Sequence, residues 1–299
     1  MILIIGGSGF LGSKIVQLLL EKKLPVRVMT RNPEKLAKLK TLGVEVVTGD
    51  LCEPQTITTA CQGVTQVVYA AHGFLGERRN NPEQVDGKGA HQLIDAAKAA
   101  GVQQFIYTSI YDSRSDHPLD VFRIKFATEN YLRNSGLTHT ILCPTAFMES
   151  WADAIGKMVM KFGVAIVPGS GDASQNYISA NDVARFAVWA LTDPRSHNRT
   201  FSLGGAENLN MNELVEIYAK VAGKPARCIH FPLFLVHIAG WLAWPFVPKL
   251  SRRMVTAFTT DVDSPDIDKC SAFLKFCPMQ RLSLTDYVCS RYPNKQTKS

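Results

Sequence analysis

The chain has 299 residues, 46% of them hydrophobic and 20% charged, a formal net charge of +7 and an isoelectric point near 9.0. That length holds one large domain, or a large one with a smaller partner, and the composition excludes a disordered chain. The basic surplus suits an anionic ligand or surface, but only Lys22-Lys23, Arg78-Arg79 and Arg252-Arg253 cluster, without aromatic interleaving or zinc spacing, so nucleic acid is not expected as a partner.

The first half alternates short apolar runs with amphipathic stretches. Leu3–Ile5 reads as a strand and Ser13–Lys22 as a helix. Val26–Thr30 is a second strand. Asn32 then caps a helix with Pro33 in its first turn, and Gly43 stops it. Val44–Thr48 and Gln66–Ala71 are further strands. A long helix spans Pro82–Ala100 and ends at Gly101. Gln104–Thr108 is a strand, Phe122–Asn134 a helix ended by Ser135-Gly136, and Thr138–Leu142 a strand. Continuous apolar strands alternating with amphipathic helices imply a parallel sheet covered on both faces, with ligands outside the carboxyl ends of its strands. The second half is less regular. Tyr177–Leu191 reads as a strand entering a helix, and Leu209–Ala222 as a helix led by Asn210 and ended by Gly223. The tail from Pro293 is polar.

The segment Met1–Gly12, MILIIGGSGFLG, is the most informative. A buried strand turns through three glycines, spaced by three, into a helix whose free amides and dipole favour an anion. Gly6 permits the sharp turn, Gly9 lets backbone approach a pyrophosphate, and Gly12 lets helix and strand pack closely. After the second strand stands Arg31, where a site for NAD usually has an acid. A guanidinium there grips a 2′-phosphate, which makes NADP(H) the expected cofactor and NAD(H) the lesser choice; a solvated loop arginine is the bland alternative. Asp50, after the third strand, is either an acceptor for the adenine amino group or a turn aspartate. Ala70-Ala71 ends the fourth strand with small side chains, as a nearby dinucleotide or ordinary close packing requires. His72 reads as structural.

These residues, with Thr30-Arg31-Asn32-Pro33, Gly49-Asp50-Leu51 and the stretch from Lys125 to Ser150, KFATENYLRNSGLTHTILCPTAFMES, resemble the NmrA-like group of atypical short-chain dehydrogenases/reductases over residues 1–225. The resemblance implies a doubly wound parallel-sheet Rossmann fold with a smaller, mainly helical C-terminal lobe. It divides the chain at about residue 150, with 177–205 returning to the Rossmann core. It implies cofactor contacts at Gly6, Ser8, Gly9, Phe10, Leu11, Gly12, Arg31, Asp50, Leu51, Ala70, Ala71, Thr108, Lys125, Pro144, Thr145 and Phe147. The superfamily's catalytic pair is Tyr-x-x-x-Lys. Here Lys125 is present, but Val121 stands where the tyrosine belongs, and one serine, Ser109, follows the fifth strand where two or three are common. Lys125 then anchors the cofactor ribose, acts itself as acid or base as in isoflavone-reductase-like relatives, or is a surface lysine. Tyr111 and Ser109 are the candidate replacements for the missing phenol. Phe147 and Met148 either line a substrate pocket or belong to the core.

Seven cysteines, irregularly spaced and without a C-x-x-C pair, point to a cytoplasmic or other reducing compartment, with no disulfide frame and no metal site. A strand starting at residue 2 leaves no room for a signal or transit peptide in the chain as given. The apolar run Phe231–Pro248, interrupted by prolines, reads as a core or dimer helix, a lid over a hydrophobic substrate, or, with Trp241, Trp244, Lys249, Arg252 and Arg253, a peripheral membrane contact spanning 231–253. Two functions compete. One is an NADPH-dependent reductase of a hydrophobic quinone, enone or carbonyl. The other is a non-catalytic cofactor-binding sensor or a membrane-complex assembly protein with a protein partner.

Overall fold

The computed structural model describes residues 1–74, 76–232 and 266–293. In chain order the elements are β1 (Ile2–Ile5), α1 (Phe10–Glu21), β2 (Val26–Thr30), α2 (Ala37–Thr41), β3 (Glu45–Thr48), α3 (Pro54–Cys61), β4 (Gln66–Tyr69), α4 (Ala90–Ala99), β5 (Gln104–Thr108), α5 (Asp120–Asn134) and β6 (His139–Pro144). There follow β7 (Ala146–Phe147), α6 (Asp153–Phe162), β8 (Val164–Pro168), β9 (Gln175–Ile178), α7 (Ala180–Ala190), β10 (Arg199–Leu203), β11 (Asn208–Leu209), α8 (Met211–Ala222) and β12 (Arg227–Phe231). After the undescribed stretch come α9 (Ile267–Ser271) and α10 (Leu284–Arg291).

One compact unit comprises Met1–Pro144 and Val183–Phe201. Its seven-stranded sheet has the order β10-β6-β5-β4-β1-β2-β3, and the pairs from β3 across to β6 are parallel. The order reverses between β1 and β4, the switch point where doubly wound sheets bind ligands. The central strands β1, β4 and β5 are largely apolar and buried on both faces, as parallel sheets demand, whereas the edge strand β3 is not. In α1 the buried residues Leu11, Ile15, Val16 and Leu19 form one stripe. Leu3, Ile5, Tyr69, Leu93, Phe105 and Tyr107 belong to one buried apolar cluster. Each such side chain contributes about 1.5–3 kcal/mol by leaving water.

The other unit comprises Thr145–Asp182 and the described residues from Ser202 on. It holds a three-stranded sheet, β11-β9-β7, a two-stranded parallel sheet, β12-β8, and the helices α6, α8 and α10. Its core gathers Met148, Val159, Tyr177, Leu214, Tyr218 and Val288. Asn210 caps α8 in a reciprocal box with Glu213, and Gly223 ends it at φ +65°. Asp153, fully buried, accepts from the Tyr218 hydroxyl at 3.0 Å and pairs with Arg291 at 2.9 Å, which ties α10 to α6.

Several boundaries differ from the sequence reading, each for a local reason. The first helix starts at Phe10, because its opening turn is the glycine loop itself. Asn32 makes no side-chain cap; Pro33–Leu36 is a tight 3₁₀ turn before the short α2. The helix α3 escapes detection because its threonines have low helix propensity. Thr58 and Thr59 turn their hydroxyls back to the carbonyls of Pro54 and Gln55. The long helix expected over Pro82–Ala100 opens with a π-helical stretch, Glu83–Gly89, and becomes α-helical only at Ala90. The apolar run after Phe231 lies outside the described residues from 233 onward, so the core, lid and membrane readings for it rest on sequence alone. No described helix is long and apolar enough to cross a membrane.

A side chain at Gly12 would place its Cβ 2.2 Å from the Gly6 carbonyl oxygen, whereas one at Gly9 would meet only that oxygen, at 3.2 Å. Gly12→Ala is therefore expected to lose about 1–3 kcal/mol of stability through overpacking. Gly9→Ala is expected to lose clearly less. Urea unfolding of both variants checks the ranking.

Candidate functional site

The switch point is built from backbone. Gly6 has φ +83°, and a Cβ there would lie 2.7 Å from the amide nitrogen of Ala71. The strand ends of β1 and β4 thus meet with no side chain between them. Gly9 is the N-cap of α1, and it supplies no side-chain hydrogen bond to the first turn, which also lacks an acidic residue. A helix start with no side-chain cap and no acid favours an anion. Ser8 and Gly9 are exposed, and Leu11 and Gly12 are buried against the sheet. Phe10 meets the His72 ring edge-on at 6.2 Å between centroids. The protein mass around His72 lowers its pKa below 6.5. Asp86 opposes that shift and Lys125 adds to it, so the ring is mostly neutral at pH 7.

At the ends of β2 and β3, Arg31 is exposed and donates to Asn80 Oδ1. Asn80 belongs to the turn Arg78–Asn80, and the Arg79 carbonyl and guanidinium approach Cys52 and Glu53 at 3.7 and 3.3 Å. The doublet Arg78-Arg79, noted in the sequence only as a charge cluster, thus belongs to the loop that meets Arg31. Asp50 spends one oxygen on a turn, accepting from the Cys52 amide at 2.9 Å. Leu51 is buried and packs beside Gly89.

The buried polar cluster is on α5. Its inward face buries Val121, Lys125, Thr128, Glu129 and Leu132, so three polar side chains share a face with apolar ones. Lys125 Nζ pairs with Asp86 Oδ1 at 2.8 Å and donates to the Thr108 carbonyl at 3.0 Å. Both charged groups are buried. Asp86 Oδ2 accepts from the Gly73 amide at 2.7 Å, which draws in the loop after β4. Thr128 donates to the Asp86 carbonyl at 2.7 Å, and the Tyr69 hydroxyl donates to the Val85 carbonyl at 2.6 Å. Those two bonds hold the widened π-helical turn that carries the aspartate. Thr108 Oγ1 is buried beside this centre without a hydrogen-bond partner. Val121 sits one turn before Lys125 and is fully buried, so no phenol occupies that position.

Glu129 anchors a second polar group. Its Oε1 accepts from Ser109 and, at 2.6 Å, from Ser113; its Oε2 pairs with Arg133 at 2.8 Å. The Ser109 hydroxyl is thus committed to Glu129 in this conformation. Burial and the same carboxylate push the Cys143 thiol far up, which keeps it protonated. Tyr111 is half-buried in the loop after β5, and its amide donates to the Pro144 carbonyl at 2.9 Å. The next residue, Asp112, takes φ +62°. In the other unit, Thr145 donates to Asn176 Oδ1 at 2.8 Å, Phe147 pairs in register with Ile178, and Met148 joins that unit's core.

Asp86 and Glu129 were missed in the sequence. The signal for Asp86 was a single acid among the glycines of Val85-Asp86-Gly87-Lys88-Gly89, a stretch too glycine-rich for a solvated helix face. Glu129 gave none beyond its spacing of four from Lys125.

This arrangement of glycine turn, parallel sheet and inward lysine matches a known family profile along residues 1–270, that of the NmrA-like family. The chain belongs to the NmrA-like family. The photosystem II assembly factor Ycf39 of Trieres chinensis is 31% identical over 267 residues, 88% of this chain and 82% of that protein. An NAD(P)H azoreductase of Xenophilus azovorans is 33% identical over 236 residues, 78% of each chain. Among solved structures, the triphenylmethane reductase of Citrobacter sp., complexed with NADP(H), superposes with a TM-score of 0.81 at 21% identity, covering 97% of this chain and 99% of that one. The family fold is thus shared by relatives named for reduction and a relative named for assembly.

Removing one partner of a buried ion pair leaves the other uncompensated, at a cost of about 3–5 kcal/mol. Asp86→Ala is expected to lose stability on that scale. The double variant Asp86→Ala/Lys125→Met should recover on the order of 2 kcal/mol relative to the sum of the single changes. A double-mutant cycle by urea unfolding measures this.

Proposed function

We propose that this chain binds NADP(H) and reduces a hydrophobic, conjugated acceptor of the quinone, enone or carbonyl class. The observation that carries this reading is Lys125, held rigidly by Asp86 and the Thr108 carbonyl at the carboxyl end of β5. An ammonium has three donors, and these two contacts use two of them. The third is suited to a ribose hydroxyl or to an oxygen of the acceptor. The residues fit the cofactor along its length. The uncapped amides of α1 and the cradle at Gly6 and Ala71 receive the pyrophosphate. Arg31 and the loop Arg78–Asn80 receive the 2′-phosphate. Pro144, at the carboxyl end of β6 in the same unit, stands next along the chain for the nicotinamide end. A bound reduced nicotinamide supplies the hydride.

Lys125 fixes the ribose and stabilises negative charge forming on the acceptor oxygen. Tyr111, Lys125 or water delivers the proton; the Ser109 hydroxyl is directed at Glu129 and must first be released. The azoreductase relative and the triphenylmethane reductase neighbour support an acceptor with extended conjugation.

A second reading is favoured by Val121 and by the assembly-factor relative: the chain binds the cofactor, does little chemistry, and serves a protein partner as sensor or scaffold. The two readings share the cofactor site and differ only in turnover.

NADPH fluorescence on titration reads binding, and the loss of NADPH absorbance with quinones, enones, carbonyls and azo dyes reads turnover. The first reading expects both. Binding without turnover on any acceptor replaces it with the second. Under the first reading, Lys125→Met should lower turnover at least about a hundredfold. Arg31→Glu should weaken NADPH at least about tenfold while leaving NADH nearly unchanged. Equal losses for both cofactors would remove the 2′-phosphate role.

A further inference from the structure

The two-stranded sheet β8-β12 presents a face that no described residue covers. Its strands run parallel with Ile166 opposite Ile229 and Pro168 opposite Phe231. Alternate residues point the other way, and Ala165 and Val167 on that side are fully buried. On the outward side, Ile166 is 51%, Ile229 45% and Phe231 47% exposed, and Phe162, just before β8, is 65% exposed. Four large apolar side chains on one small sheet and its approach are far from the scattered single hydrophobes of an ordinary surface.

The surroundings are basic. From residue 154 to 171 and from 217 to 232 the chain carries five basic residues, against the flanking acids Asp153, Asp172 and Glu216; Asp153 is fully buried, and Glu216 acts on Cys228, which alternates away from the open face. Lys161, Lys224 and Arg227 are exposed. The Arg227 amide bonds the Gly163 carbonyl at 2.9 Å, so the beginnings of both strands come together beside Phe162. Lys161 Nζ lies over the Phe162 ring, 4.8 Å from its centroid. Cations at helix C-termini complement the dipoles of α6 and α8, but that role needs no exposed phenylalanine or isoleucine beside them.

We infer that this face of the second unit is a docking surface for an anionic lipid bilayer, with Phe162, Ile166, Ile229 and Phe231 entering the interface and Lys161, Lys224 and Arg227 meeting the headgroups. The charge decides against a second copy of this chain, because a self-complementary contact would bring the two basic rims together. The shape decides against a preformed protein groove partner. The side chains protrude from a narrow, open sheet, which a fluid surface accommodates without complementary pockets. Long basic side chains beside apolar ones are also the pattern of interfacial segments. The inference concerns binding only and stands whichever reading of the cofactor site holds.

The full chain is sedimented with vesicles of phosphatidylcholine alone and of phosphatidylcholine with 30% phosphatidylglycerol. Binding is expected to the anionic vesicles, to be weak on the neutral ones, and to fall in 0.5 M salt. The quadruple variant Phe162→Ser/Ile166→Ser/Ile229→Ser/Phe231→Ser is expected to lose at least about tenfold in partitioning. The triple variant Lys161→Glu/Lys224→Glu/Arg227→Glu should lose as much. Circular dichroism and NADPH titration verify that each variant is folded. Because the serine variant removes strand-forming residues, Phe162→Ser alone, which lies outside the strands, is the second test and should lose severalfold. No binding to anionic vesicles by the unaltered chain overturns the inference. So does binding that the variants leave unchanged, which would put the contact elsewhere, including in residues 233–253. A dimer that the serine variants dissociate, in a chain that ignores vesicles, overturns it in favour of self-association.

Discussion

An ammonium and a carboxylate can be buried together only if each meets the other and the remaining donors and acceptors are also met. Lys125 and Asp86 satisfy that condition by recruiting backbone: the Thr108 carbonyl from the end of β5 and the Gly73 amide from the loop after β4. The pair therefore fixes three separate segments to one point on α5. The ligand side of the sheet takes its shape from this electrostatic anchor more than from apolar contact. A helix that buries Lys125, Thr128 and Glu129 against a sheet would otherwise be an unstable choice.

The anchor is independent of the phenol that the superfamily pattern places four residues before the lysine. Positioning the lysine requires Asp86, the strand-end carbonyl and the widened turn, and none of these depends on a phenol four residues earlier. Val121 fills that position as a fully buried apolar side chain and leaves the contacts of Lys125 intact.

The parallel sheet and the glycine turn were legible because both are written locally. The strands are unbroken apolar runs, and Gly6 and Gly12 stand where a Cβ would collide with backbone. The capping of α8 was legible in part, through Asn210 and Gly223. Lys125 was legible through its spacing within the family pattern. Asp86 was not, because its partner is distant in sequence and a lone acid in a helical stretch usually faces water. Glu129 reads, from sequence, as an exposed residue one turn beyond a lysine, and only the fold shows that it faces inward toward Ser109 and Ser113. The open face of β8-β12 was hidden for a different reason. Neither Val164–Pro168 nor Arg227–Phe231 stands out in the sequence, and only their pairing and exposure show that no described residue covers Ile166, Ile229 and Phe231.

The stretch Glu83–Gly89 winds more loosely than an α-helix, with Tyr69 and Thr128 bracing its carbonyls. A π-turn holds, in effect, one residue more than the α-turn it replaces, and each residue of an α-helix advances the side chains by about 100°. Asp86 therefore points at Lys125 because of a surplus residue as much as because of its own identity. Losing one residue here would give a more regular helix that carries the same aspartate on the wrong bearing. The length of the segment thus sets the geometry of the buried ion pair, a property that comparisons of residue identity alone would pass over.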